Sequence, residues 1–275
     1  MKLSLSVRVG ENFRNKRVVD ITLDDLARIA TEAGFQAICM RASVVGVHSP
    51  PQQVLAARAL LDDLGLPVSM VTGDFAVPEN GAEGPGCLRH ITPHLGLAET
   101  LGSDLIRVCM KEETDIPFAQ RAADEAQERG IRLAHQSHTR SLFETVQGSL
   151  DVLQKIGRPN FGLIYEPANL ALCGEDYGLQ TLRALQPYLF NVYLQNHLPD
   201  PNGDMPMETW ARGKIMSTLR PLDDPEGIDF ALLLQALKEI AYDGYVTSHQ
   251  AFTGGVQPAE AAGRYAAFLQ SCIDA

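Results

Sequence analysis

Gly162-Leu163-Ile164-Tyr165-Glu166-Pro167-Ala168-Asn169 is an apolar run that stops on an acid, a proline and an asparagine. Its length and flanking residues read as a buried strand, with Glu166 at the C-terminal tip. Three other segments have the same form: Arg132–His138 (Arg-Leu-Ala-His-Gln-Ser-His), Asn191–His197 (Asn-Val-Tyr-Leu-Gln-Asn-His) and Tyr245–Gln250 (Tyr-Val-Thr-Ser-His-Gln). Each is apolar and β-prone until its end, where it turns polar. Three of the seven histidines, His138, His197 and His249, lie in those ends. Polar residues gathered at the tips of parallel strands are how a β/α barrel assembles a site.

Outward from these segments the alternation continues. Strand-like stretches fall at residues 3–9, 37–40, 67–71, 105–109, 132–135, 161–165, 190–194 and 245–248. Helical periodicity covers 23–33, 51–64, 88–101, 116–129, 141–156, 178–185, 230–242 and 258–272. Thr22 caps a first turn containing Asp24 and Asp25, and Gly34, Gly65, Gly130 and Gly157 sit where C-terminal glycines belong. Eight strand–helix units in 275 residues predict an α/β fold, a single-domain (β/α)8 TIM barrel over residues 1–275. A doubly wound sheet is the alternative, but the turn after the first strand lacks its Gly-x-Gly-x-x-Gly pattern. Two stretches read as long loops, at about 72–86 and 199–227, the second irregular and rich in Pro, Asp and Gly. Loops of that length are commonly lids or interface arms.

Apolar residues make up 45% of the chain and charged ones 21%, the composition of a globular protein with a sizeable core. The net charge of −11 argues against nucleic acid and anionic membrane as partners, while leaving room for a local basic pocket and a phosphorylated substrate. Five scattered cysteines with no Cys-x-x-Cys spacing read as buried free thiols of a reducing compartment. The N-terminus alternates apolar and polar residues, unlike a signal peptide, and no segment reaches the roughly 18 apolar residues of a membrane span. A cytoplasmic location is expected.

At the level of motifs the chain resembles the xylose isomerase-like barrels, the sugar phosphate isomerase/epimerase group. Members show Gly-Val-x-Leu-x-x-Glu-Asn-His where this chain has Gly130-Ile-Arg-Leu-Ala-His-Gln-Ser-His138. Their x-Gly-Leu-x-x-Asp-Pro-x-Asn is matched by Phe161-Gly-Leu-Ile-Tyr-Glu-Pro-Ala-Asn169, which brings in Asn169. Their His-Val-His-x-Lys-Asp corresponds to Asn191-Val-Tyr-Leu-Gln-Asn196, and Tyr-x-Gly-x-x-x-x-Glu to Tyr242-Asp-Gly-Tyr-Val-Thr-Ser-His249. The resemblance implies a divalent metal held by Glu, Asp, His and Glu. The aligned residues here are Gln136, Glu166, Tyr193 and His249, so a single carboxylate remains.

A metal set of Gln136, Glu166 and His249, completed by Gln195, His197 or His138, would suit Mn, Zn or Fe better than Mg. Alternatively Glu166 or His249 is a metal-free base. Asn191, Tyr193 and Gln195 share a parity and line the interior together; Tyr193 would offer its hydroxyl to a substrate oxygen. His135 faces away from the centre, since Gln136 takes the inward slot. Arg41, Arg107 and Lys111 bring cations to other strand ends. Buried, Arg107 would need an acid or a substrate oxyanion. His48 is placed at the mouth, and Trp210 with Arg212 and Lys214 would cradle a sugar or form a subunit interface. His90 and His94 read as surface residues.

The expected activity is a sugar isomerase or epimerase acting on a small keto-sugar, polyol or related hydroxylated compound by proton abstraction next to a carbonyl. A dehydratase or lyase on the same barrel is the alternative, as is a non-catalytic sugar-binding or partner subunit. A carbohydrate-like small molecule is the expected ligand, and a homo-oligomer is the expectation by analogy.

Overall fold

The strands, in chain order, are β1 Lys2–Ser6, β2 Ala37–Arg41, β3 Val68–Thr72, β4 Leu105–Val108, β5 Arg132–Gln136, β6 Phe161–Tyr165, β7 Leu189–Leu194, β8 His197–Pro199, β9 Met205–Thr209, β10 Gly213–Leu219 and β11 Tyr245–Ser248. The computed structural model describes residues 1–12, 15–251 and 256–275. β1 to β7 and β11 pair in parallel, and β1 bonds to both β2 and β11, so eight strands close a barrel. The helices are α1 Leu23–Ala33, α2 Pro51–Asp63, α3 Ala76–Glu79, α4 Gly86–Arg89, α5 Thr92–Leu101, α6 Ile116–Glu128, α7 Val146–Ile156, α8 Pro167–Cys173, α9 Leu179–Leu185, α10 Phe230–Glu239 and α11 Pro258–Asp274. They form the outer layer, with α11 packed on α1 where the ring closes.

Local chemistry explains the pieces. In α1 the Thr22 side chain accepts the Asp25 amide at 3.2 Å, and Leu26, Ala27 and Ala30 turn one stripe inward. In α6 the stripe is Ala119, Ala122, Ala123 and Ala126, small enough to bring the helix close to the sheet. Inside the barrel, alternate residues of the strands stack as Cys39, Met70, Leu105, Ala134, Ile164 and Tyr193. The glycine of the opening motif is needed for strand spacing: a Cβ on Gly162 would collide with the Tyr188 carbonyl and sit 2.6 Å from the Phe190 ring. His135 points outward as expected, stacked on Phe143 at 4.1 Å.

Four expectations are corrected. Residues 199–227 are not irregular throughout: β8, β10 and β9 form an antiparallel sheet over the barrel mouth, and residues 220–227 are left as loop. The 88–101 helix is broken into α4 and α5. The 72–86 loop contains α3. His94 is also not at the surface; it is 4% exposed, with Nε2 3.6 Å from Asp74. All five cysteines are free, and four of them are buried. No helix among the described residues is long and apolar enough to cross a membrane.

Candidate active site

A cavity of about 290 Å³ opens at the C-terminal mouth of the barrel. Strand ends form its walls, through Arg41, Arg107, Gln136, Gln195 and His249. The first βα turn adds Arg8 and Lys16, and the antiparallel sheet covers it with Met205, Met207 and Leu219.

The β1–β2 wall holds a closed ionic cluster. Arg41 donates from Nε to Glu11 at 2.6 Å and from Nη2 at 3.0 Å, with both side chains almost sealed from water. Ser43 adds a third donor to Glu11 at 2.7 Å, and Arg8 stands 3.7 Å from the same carboxylate. A two-pronged guanidinium–carboxylate pair is the arrangement able to offset the desolvation of both charges. Arg8 is fixed by the short 3-10 turn Val7–Gly10, whose cap Ser6 accepts the Arg8 amide at 3.1 Å.

The β4–β6 wall is different. Arg107 is 4% exposed and its Nε has no partner; no described residue forms an ion pair with it. The Tyr193 ring lies 6.0 Å from its guanidinium carbon. Glu166, 1% exposed, stands behind the cavity wall rather than on it, because Gln136 lies in front and donates its Nε2 to Glu166 Oε2. Burial pushes the Glu166 carboxyl up to about 8, against the opposing pull of Arg107 and Lys16. Gln136 Oε1 is left without a donor. Asn169 is anchored by donating to the Ser137 carbonyl at 2.8 Å.

His249 sits between the two walls. Its ring stacks on Tyr193 at 3.8 Å, and Nδ1 lies 3.0 Å from the Ser6 hydroxyl. Burial, and then Arg41, Arg107, Arg8 and Lys16, hold its pKa well below the ordinary imidazole range, so it is neutral. Tyr193 does not reach the ligand space with its hydroxyl, which lies 3.2 Å from the Cys39 thiol. At the covering sheet, Ser217 donates to the Met205 carbonyl, so the Nε2–H of His197 is the donor to the Ser217 oxygen at 2.7 Å. His138 lines the cavity, with Nδ1 2.9 Å from the Asn80 amide and 2.8 Å from the Thr139 carbonyl.

Four expected ligand-binding residues lie elsewhere. His48 is exposed and packs on Phe75 at 4.7 Å, turned outward by the loop after β2. Lys111 donates to the Asn80 carbonyl at 2.8 Å and to the Arg140 carbonyl, and sits 5.3 Å from the Trp210 ring. Trp210 is held outside the cavity by Glu144, which accepts the Trp210 and Ala211 amides at 2.8 Å each. Arg212 lies alongside Gly174.

A divalent cation does not fit this site. Among the described residues no group of three or more His, Cys, Asp or Glu side chains is placed to hold a metal. The one carboxyl in the expected set carries its proton at neutral pH and is capped by an amide. Three guanidinium groups and an ammonium line the space a dication would enter.

Reading the strand ends alone misses Arg8, Glu11 and Lys16, and gives Gln250, at the β11 end, no role. Arg8 had a signal: it continues the inward parity of Ser4 and Ser6, where a charge is out of place in a strand core. Glu11 and Lys16 have none, since their loop folds back only through tertiary contacts. Gln250 accepts the Asn196 amide at 2.7 Å and ties the β7 end to the covering sheet's return.

The likeness to known proteins agrees with this geometry at the level of fold. No curated protein matches the sequence significantly. Among solved structures, the probable 3-DHS dehydratase AsbF from Bacillus anthracis superposes with a TM-score of 0.72 at 16% identity, over 98% of this chain and 99% of that one. D-psicose 3-epimerase crystallised with D-fructose gives 0.71 at 14% identity, over 100% of both chains. A Mycobacterium smegmatis barrel in complex with magnesium gives 0.69 at 15% identity, over 99% of this chain and 97% of that one. The model of one sequence family extends from residue 27 to residue 272, and by it the chain belongs to the xylose isomerase-like TIM barrel family.

Proposed function

We propose that the cavity carries out an isomerase or epimerase reaction on a small keto-sugar or related hydroxylated carbonyl compound. The observation that carries this reading is a neutral imidazole, His249, on the cavity wall beside an arginine without a counter-ion. His249 takes the proton from the carbon next to the carbonyl, and the electron pair moves onto the carbonyl oxygen. Arg107 faces the negative charge that develops on that oxygen. Gln136, its Nε2 committed to Glu166, lines the cavity and keeps an Oε1 without a donor, the acceptor nearest to hand for a substrate hydroxyl once the side chain turns toward it. Glu166 is then a positioning residue that fixes the amide. Return of the proton to the neighbouring carbon, with a hydroxyl proton passing between the two oxygens, completes an isomerisation. The same abstraction begins a dehydration, and product analysis separates the two.

The test is proton exchange in deuterated water, followed by NMR over a panel of ketoses and hydroxylated keto acids. Exchange should persist after chelator treatment and fall about 10²- to 10⁴-fold in His249→Ala. Absence of exchange with every compound in the panel sinks the proposal.

A further inference from the structure

Three arginines line one small cavity, and each has a nitrogen sealed from water with no hydrogen-bond partner: Arg8 Nη1, Arg41 Nη1 and Arg107 Nε. Lys16 joins them at the rim. The carboxylate beside Arg8 and Arg41 is Glu11, already engaged by Arg41 and Ser43, and it forms no ion pair with Arg107. Burying a guanidinium without an acceptor is unfavourable, and four cations around one space repel each other. This arrangement lies in a chain whose net charge is −11, so it is a local inversion of sign rather than a general basicity.

We propose that the natural substrate bears an oxyanion, a carboxylate or a phosphate ester, bound by Arg107 with Arg8, Lys16 and Arg41 around it. This cationic cluster takes over the charge-stabilising role of the metal that related barrels are expected to hold. The substrate assignment rests on the reading of the cavity as an active site, and it narrows the ligand from a neutral sugar to a hydroxylated anion. Two features besides charge support it. Arg107 is nearly fully buried yet unpaired, while Glu166, the nearest unused acid, is turned to Gln136. Unmet acceptors and donors also belong to residues of the same cavity wall, since Gln136 Oε1 lacks a donor while Arg8 Nη1, Arg41 Nη1 and Arg107 Nε lack acceptors. A hydroxylated anion supplies both. Electrostatics agree: burial and the neighbouring cations lower the pKa of Arg107 and Arg8 and bring Lys16 to about 8.

The experiment is titration of the full chain, by calorimetry and thermal shift, with inorganic phosphate, malonate, D-fructose and manganese chloride. Phosphate or malonate, or both, should bind and raise the melting temperature; phosphate alone points to a phosphate ester, malonate alone to a carboxylate. Arg107→Gln should weaken that binding about 10- to 100-fold, and Arg107→Lys less. Arg183→Gln, which alters a surface arginine paired with Glu239, should leave it unchanged. The proposal is overturned if neither anion binds, or if whatever anion binds the parent binds Arg107→Gln and Arg107→Lys equally well. Saturable manganese binding needed for anion affinity would also overturn it. Because binding is read without turnover, the two proposals fail separately. Anion binding with no carbon–hydrogen exchange removes the isomerase reading alone; exchange on neutral ketoses without anion binding removes this one.

Discussion

Two arginine–glutamate couples flank the same cavity and are built in opposite ways. On the β1–β2 wall, Arg41 and Glu11 meet in a two-pronged pair at 2.6 and 3.0 Å. On the β4–β6 wall, Arg107 and Glu166 are equally buried, but the acid faces an amide and the guanidinium faces no partner. The same ingredients make a fixture in one place and a receptor in the other. Pairing decides which: a buried charge with a resident counter-ion holds structure, and one without it is a standing demand for a ligand.

The contrast can be broken most forcefully at Glu11. Glu11→Gln strands Arg41 and should lower stability by about 3–5 kcal/mol in urea unfolding. Replacing both partners, Arg41→Met with Glu11→Leu, should recover most of it. The Glu166 carboxyl offers a second handle. Its native pKa, about 8, lies above its ordinary value of 4.5. Its stabilising contribution is therefore complete below pH 4.5 and is lost as the pH rises through 8. The stability difference between parent and Glu166→Gln should drift across that window with a slope approaching about 1.4 kcal/mol per pH unit; a flat difference would show that the acid is not held in its protonated form. Arg107→Met should do the reverse of Glu11→Gln, raising the unfolding free energy by about 1–2 kcal/mol while removing anion affinity. The smallest effect is at Lys16, which loses its charge near pH 8. KM for an anionic substrate should rise about threefold to fivefold as the pH passes 8, and Lys16→Arg should move that rise to higher pH.

What could be read beforehand follows the range of the forces involved. Strands β6 and β11 and helix α1 have their expected bounds because each is set by local pattern: alternation or apolar runs, a capping Thr22, a left-handed Gly34 with φ 88°. The inward placement of Gln136 and the outward placement of His135 follow from parity alone. The antiparallel sheet over the mouth is not legible in the sequence because it pairs segments such as Met205–Thr209 and Gly213–Leu219, where Pro206, Gly213 and the surrounding Pro, Asp and Gly residues suggest a loop. Helix α8 begins with Pro167 directly after Glu166, a permitted first-turn proline hidden by the strand before it. Side-chain rivalry was also invisible. That Glu166 turns to Gln136, and that Glu11 comes back to claim Arg41, depends on contacts 30 residues apart in each case.

The inversion of sign between surface and cavity has a consequence for encounter. A −11 molecule repels an anion from afar and attracts it only within the mouth. At low ionic strength, with a Debye length of roughly 30 Å, the approaching ligand feels the whole negative surface; near physiological salt, at about 8 Å, it feels mainly the mouth. The association rate should therefore rise with added inert salt before it falls, the opposite of ordinary electrostatic steering.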